Sequence, residues 1–74
     1  MISYKNLSGN SGVSMYEIGS DFIRVLFHGN SRIYTYSYRS TGMQHVEDMK
    51  ILAQRGSGLN GYINQYCRYS YETR

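Results

Sequence analysis

The run Phe22-Ile23-Arg24-Val25-Leu26-Phe27 commits this chain to a β-sheet. Aromatic and β-branched residues dominate it, and such side chains fit a pleated surface. Ile23, Val25 and Phe27 share one face; Phe22, Arg24 and Leu26 share the other. Gly29-Asn30 follows where a hairpin turn belongs. The segment from Ser31 to Tyr38 then reads as a further strand, with Ile33, Thr35 and Ser37 on one side and Arg32, Tyr34, Tyr36 and Tyr38 on the other. Upstream, Val13 to Ile18 alternates as a short strand, placing Val13 and Met15 opposite Ser14, Tyr16 and Ile18, and Gly19-Ser20-Asp21 is a turn.

The period then changes. Thr41 and Gln44 have the spacing of a capping box. The apolar positions Met43, Val46, Met49, Leu52 and Ala53 recur at helical spacing, so a helix is expected from Gly42 or Met43 to about Arg55. Lys50 and Arg55 toward its end suit the macrodipole, and Gly56 is placed to stop it. Ser57 can cap a second helix from Gly58 or Leu59 to about Tyr69. Its stripe is Leu59, Tyr62, Ile63, Tyr66 and Cys67. The expected fold class is α+β: a three-stranded antiparallel β-meander followed by two α-helices packed on one face. Residues 1–12, rich in Ser, Asn and Gly, read as a flexible N-terminal segment, and 13–72 as a single domain.

A chain of 74 residues has a marginal core. Cys67 is the lone cysteine and so makes no internal disulfide; it reads as a small apolar filler on the buried stripe. His28, His45 and Cys67 have no metal-ligand spacing, so neither a metal nor a cofactor is expected. Homodimerisation is the remaining common source of stability. The sheet face not covered by helices would be solvated or packed against a second copy. No signal peptide or membrane-length apolar run is visible, which makes the cytoplasm the expected compartment.

Nine tyrosines interleave with arginines. Tyrosine offers a flat ring and a hydroxyl at low entropic cost, and arginine a planar charge that matches phosphate and stacks on rings. Six of the eight positive residues are Arg, and the net charge is +3. These features point to non-catalytic binding of a phosphate-bearing ligand, either single-stranded RNA or a small or cyclic nucleotide, with sequestration between two subunits as one form. The candidate ligand residues are Arg24, Arg32, Tyr34, Tyr36, Tyr38 and Arg39, with Arg55, Ser57, Asn60 and Arg68 from the helices. Two roles fit Tyr34 and Tyr36: rings buried under the helices, or an exposed stacking platform. Arg55-Gly56-Ser57-Gly58 could hold a phosphate at a helix start, but a tight helix–helix turn explains it more simply. Glu47 and Asp48 are adjacent and diverge on a helix, a poor acid–base pair, and no catalytic motif is present. The alternative is a small inhibitor or adaptor that docks on a protein, because Tyr and Arg also anchor protein interfaces.

The chain also resembles the KTSC domain, a short module found at the C-terminus of some lysyl-tRNA synthetases and alone in bacterial and phage proteins. The resemblance covers Ser11 to about Glu72. It is carried by Ser14 to Gly19, by Ile23 to Phe27, by Ile33-Tyr34-Thr35-Tyr36, and by Gly58 to Ile63, which is similar to the family's Gly-x-x-x-Asn-x-x-Ile region. The family's proline after the third strand and its C-terminal lysines are replaced here by Tyr38-Arg39-Ser40 and by arginines. The resemblance implies strands followed by helices, and the synthetase fusions imply RNA as a partner.

Overall fold

The computed structural model describes residues 1–7, 9 and 11–73. Strands β1 (Ile2–Ser3), β2 (Val13–Ile18), β3 (Phe22–Phe27) and β4 (Ile33–Ser37) form one antiparallel sheet in chain order. Helices α1 (Tyr38–Thr41), α2 (Met43–Arg55) and α3 (Leu59–Tyr62) follow, and a π-helical segment, Ile63–Cys67, continues α3. The α+β class stands, and β2 and β3 have the bounds expected from alternation.

The register places Tyr36 beside Ile23 and Tyr34 beside Val25, so both tyrosines face the helices. Ile23, Val25 and Tyr36 pack with Val46, Met49 and Ala53 of α2 and with Leu59, Ile63 and Cys67 of the last helical stretch. The reverse face carries the row Met15, Leu26, Ile33 and the cross-strand pair Glu17–Arg24. One departure from simple alternation lies in β2. Val13 pairs with Phe27 and Met15 with Leu26, so Ser14 is an extra residue. This bulge lets both Val13 and Tyr16 point into the core, where strict alternation had opposed them.

The sheet has four strands rather than three, and its extra strand comes from the segment expected to be flexible. Ile2–Ser3 pairs with Met15 and Tyr16, and the Tyr4 amide donates to the Ser14 carbonyl at 3.0 Å. The Tyr4 ring is buried in the core, and its hydroxyl accepts the amide of Leu59, at the start of α3, at 3.3 Å. The Leu7 amide donates to the Gly56 carbonyl at 2.8 Å. Composition alone reads this segment as loose, yet the outer edge of β2 needs a partner and the core needs another ring. Ser8 and Asn10, part of the expected flexible run, lie outside the described residues. Tyr4→Phe should keep the ring but orphan the Leu59 amide, at a cost of about 1–3 kcal/mol. A lowered urea midpoint at unchanged slope checks this.

The helical half also departs from expectation. β4 ends at Ser37, which caps α1: its hydroxyl accepts the Ser40 amide at 3.1 Å. Tyr38 is therefore helical, not the end of a strand. Gly42, with φ of 99°, separates α1 from α2, and no side chain caps α2. The expected Thr41–Gln44 capping box is not formed, because both side chains are engaged elsewhere. Thr41 donates to the Ser70 carbonyl at 2.6 Å, and Gln44 donates to Asp48 at 2.9 Å. Gly56 does end α2, in the left-handed region at φ of 82°, with its amide bonded to the Leu52 carbonyl.

After α3 the helix widens into a π turn. Leu59, Ile63 and Cys67 are the buried positions, each four residues from the last. An i→i+5 turn holds more residues than an α turn, so it keeps a four-residue spacing on one face. Residues 69–73, read as a polar tail, instead run back along β4. The Thr35 amide donates to the Thr73 carbonyl at 2.8 Å, and the Glu72 amide donates to the Thr35 carbonyl at 2.6 Å. The Ser37 hydroxyl adds a 2.7 Å bond to the Glu72 carboxylate. No helix among the described residues is long and apolar enough to cross a membrane.

Candidate functional site

A cleft of about 270 Å³ opens where β4, the π segment and the returning tail meet. Each element contributes for a local reason. β4 aims Tyr34 and Tyr36 under the helices because its register matches theirs to Val25 and Ile23. The π segment presents Ile63 and Asn64, and Arg68 follows it. The tail adds Tyr69 and Tyr71, held there by the Thr35–Thr73 bridge. The hairpin loop after β3 brings Asn30 to the rim.

The rings meet edge to face. Tyr34 lies 5.3 Å from Phe27 and 5.1 Å from Tyr71, with planes near perpendicular. Tyr36 meets Tyr71 at 6.4 Å. Such contacts are the favoured geometry for aromatic quadrupoles. Tyr36 forms the floor: it is 1% exposed, and burial, aided by Cys67, Tyr34 and Tyr71, pushes its hydroxyl well above the usual tyrosine range. It therefore stays a neutral hydroxyl at physiological pH. Tyr69 is 78% exposed and stands at the mouth, with the Arg68 guanidinium 5.7 Å from its ring centre. Arg68 has no carboxylate partner among the described residues. The cleft thus joins a wall of tyrosines to one cation at its mouth.

Of the sequence-derived candidates, the fold gathers Tyr34, Tyr36 and Arg68. Arg32 is exposed in the adjoining loop, where its amide donates to Asn30 at 2.9 Å. Arg39 borders a neighbouring hollow of about 460 Å³ with Ser40, Glu72 and Tyr71, and Tyr71 also lines the cleft. The others lie elsewhere. Arg24 projects from the opposite sheet face, 3.0 Å from Glu17 and over the Phe22 ring. Tyr38 donates to Glu47 at 2.5 Å, a bond that raises its own pKa; Lys50 first, then Tyr38, holds the Glu47 carboxyl below the usual range. Arg55 ends α2, Ser57 lies in the turn between α2 and α3, and Asn60 packs against Gly12. The helix after that turn, α3, spans four residues, and its first amide is already bonded to the Tyr4 hydroxyl. The sequence reading did not name Phe27, Asn30, Ile63, Asn64, Tyr69 and Tyr71 as candidates, although they line the same cleft; the clustering of Tyr62, Tyr66, Tyr69 and Tyr71 was the available signal for the last two.

A second polar cluster joins α2 to α3. The Tyr62 hydroxyl donates to Asp48 at 3.0 Å, and His45 Nδ1 lies 2.8 Å from the same hydroxyl. Burial and then the Asp48 bond push the Tyr62 hydroxyl up to about 12. The hydroxyl has one proton, so the His45 contact requires Nδ1 to be the donor. His45 also stacks on Tyr66 at 5.8 Å. These contacts hold His45 half-buried against α3 and the π segment. Cys67 is buried and its thiol is pushed up by burial, so it fills space rather than attacking a substrate. Among the described residues no group of His, Cys, Asp or Glu is assembled to hold a metal ion. Compared with family models, curated proteins and solved structures, the chain matches none.

Proposed function

We propose that this protein binds a small phosphate-bearing aromatic ligand, a nucleotide, without turning it over. The observation that carries the reading is the Tyr34–Tyr36–Tyr69–Tyr71 cleft with Arg68 at its mouth. Stacking a base on an aromatic side chain contributes ~1–3 kcal/mol. A guanidinium adds charge-assisted bonds to phosphate. The cleft's own volume, about 270 Å³, favours one nucleotide unit over an extended RNA strand. Kinship with the KTSC module belongs to the same proposal and supplies its link to RNA chemistry.

Calorimetry against nucleoside monophosphates tests the reading. Arg68→Ala should weaken binding by about 1.5–3 kcal/mol, the range for a hydrogen bond to a charged group. Affinity should fall with added salt, because the phosphate contact is electrostatic. Heat that is absent across the panel, or binding indifferent to both salt and Arg68, would favour the protein-docking alternative.

A second copy is the proposed occupant of the uncovered sheet face. Met15, Leu26 and Ile33 form an apolar row there, and Ile33 is 42% exposed. The neighbouring charges, Glu17 and Arg24, cancel each other, which suits a copy of the same face better than a polyanion. The cleft lies on the helical side, so such a dimer leaves both clefts open, and each subunit takes its own ligand. Light scattering at micromolar concentration should give twice the 8.6 kDa chain mass, and Ile33→Lys should return the monomer. A native chain that stays monomeric would end this part of the proposal.

A further inference from the structure

We infer that the ligand is a nucleoside polyphosphate, a di- or triphosphate whose outer phosphates pass Tyr71 into the neighbouring hollow beside Arg39; the inference rests on the nucleotide reading above. Two hollows adjoin here. Arg68 lines the cleft of about 270 Å³, and Arg39 lines the hollow of about 460 Å³. Tyr71 lines both, so one residue is the partition between them. Its ring meets Tyr34 at 5.1 Å and Tyr36 at 6.4 Å, which fixes it against the core. Each side of the partition therefore has one guanidinium.

The pairing of charge supports this extension. Arg39 and Glu72 line the same hollow, yet no ion pair joins them. The Glu72 carboxylate instead accepts the Ser37 hydroxyl at 2.7 Å. The Arg39 side chain is exposed in the last turn of α1 and has no ion pair or hydrogen bond among the described residues. Arg24 and Lys50, by contrast, are paired with Glu17 and Glu47. A guanidinium without a carboxylate suits phosphate. A monophosphate in the cleft has Arg68 as its cation; a longer phosphate chain adds charge, and the length to pass the single ring that separates the hollows. Coulombic attraction needs no fixed orientation of an exposed side chain. Arg39 therefore favours the second phosphate, and the Glu72 carboxylate opposes it.

The test is calorimetry at one ionic strength with adenosine mono-, di- and triphosphate, and with inorganic pyrophosphate as a control that lacks the base. The diphosphate should bind the native chain more tightly than the monophosphate by roughly fivefold or more, the attraction of two unit charges near contact in water. Arg39→Gln should abolish that advantage and leave the monophosphate unchanged. Glu72→Gln keeps an acceptor for the Ser37 hydroxyl and removes the opposing charge, so it should widen the advantage. Arg55→Gln, at the end of α2, removes one positive charge away from both hollows and should leave the ratio as it is. Arg39 and Glu72 are exposed, so an unchanged melting temperature shows that their variants fold. Equal affinity for mono- and diphosphate, an advantage that survives Arg39→Gln or that Glu72→Gln narrows, or an equal loss with Arg55→Gln would overturn the inference and leave the nucleotide reading standing. No binding by any of the three nucleotides, or pyrophosphate that binds as tightly as the diphosphate, would remove both.

Discussion

Tyr36→Ala should leave this protein without a cooperative folded state. Tyr36 is among the largest fully buried side chains and meets Ile23 across the sheet, Tyr71 at the cleft and the Cys67 side of the core. Removing a buried aromatic ring typically costs about 3–5 kcal/mol, part lost transfer energy and part cavity. A single core this small rarely supplies more than about 3–5 kcal/mol in all. The two magnitudes are equal, so the variant has nothing left. Circular dichroism on heating should show no sigmoidal transition, whereas Tyr36→Phe, which keeps the ring, should still melt cooperatively. An alanine variant that folds within about 1 kcal/mol of the native chain would mean that the ring is not the core element its burial implies. The result also bears on function, because an alanine at position 36 would abolish ligand binding by unfolding. Arg68 and Arg39 are the residues on which binding can be tested cleanly.

The particular elements show what a sequence can disclose here. β2 and β3 were legible to the residue because alternation and β-branched content are local properties. The end of α2 was legible because only a residue tolerant of positive φ suits Gly56, where in addition a Cβ would come 2.6 Å from that of Lys5. The features missed are those whose cause lies far along the chain. Ile2–Ser3 and Thr73 pair with strand edges because those edges are unsatisfied, which local composition does not encode. The bulge at Ser14 is one extra residue, and it leaves no compositional mark. The site divides the same way. Tyr34, Tyr36 and Arg68, singled out by the interleaving of rings and guanidiniums, line one cleft. Arg24 was lost to the other face of the sheet and Tyr38 to a bond with Glu47, which only the register and the start of α1 decide. The open choice for Tyr34 and Tyr36, core or exposed platform, falls on the side of the core: Tyr36 is fully buried and Tyr34 half-buried against it, although both border the cleft.

Shortening the chain to end at Tyr69 should reduce stability and remove binding together. The deletion takes away both backbone bonds at Thr35, the Thr41–Ser70 bond, the Ser37–Glu72 bond and the ring of Tyr71. Two backbone bonds contribute about 0.5–1.5 kcal/mol each. The Tyr71 ring contacts add about 0.5–1.5 kcal/mol beyond burial. A loss of about 2–4 kcal/mol is therefore expected, most of what a domain of this size holds. The outer edge of β4 also becomes an open template for another chain, so the shortened protein should aggregate on warming. Tyr71→Ala separates the two roles. It keeps the backbone bridge, so it should retain most of the edge protection while losing one wall of the cleft and weakening ligand binding. Differential scanning calorimetry with and without adenosine monophosphate distinguishes these cases. The native chain should melt at a higher temperature when the ligand is present, because a ligand bound to the folded state stabilises it by mass action. The shortened chain should melt lower and show no ligand-dependent shift. A shortened chain that melts with the native one, or still shifts with ligand, would mean that the tail is neither a fifth edge partner nor a wall of the site.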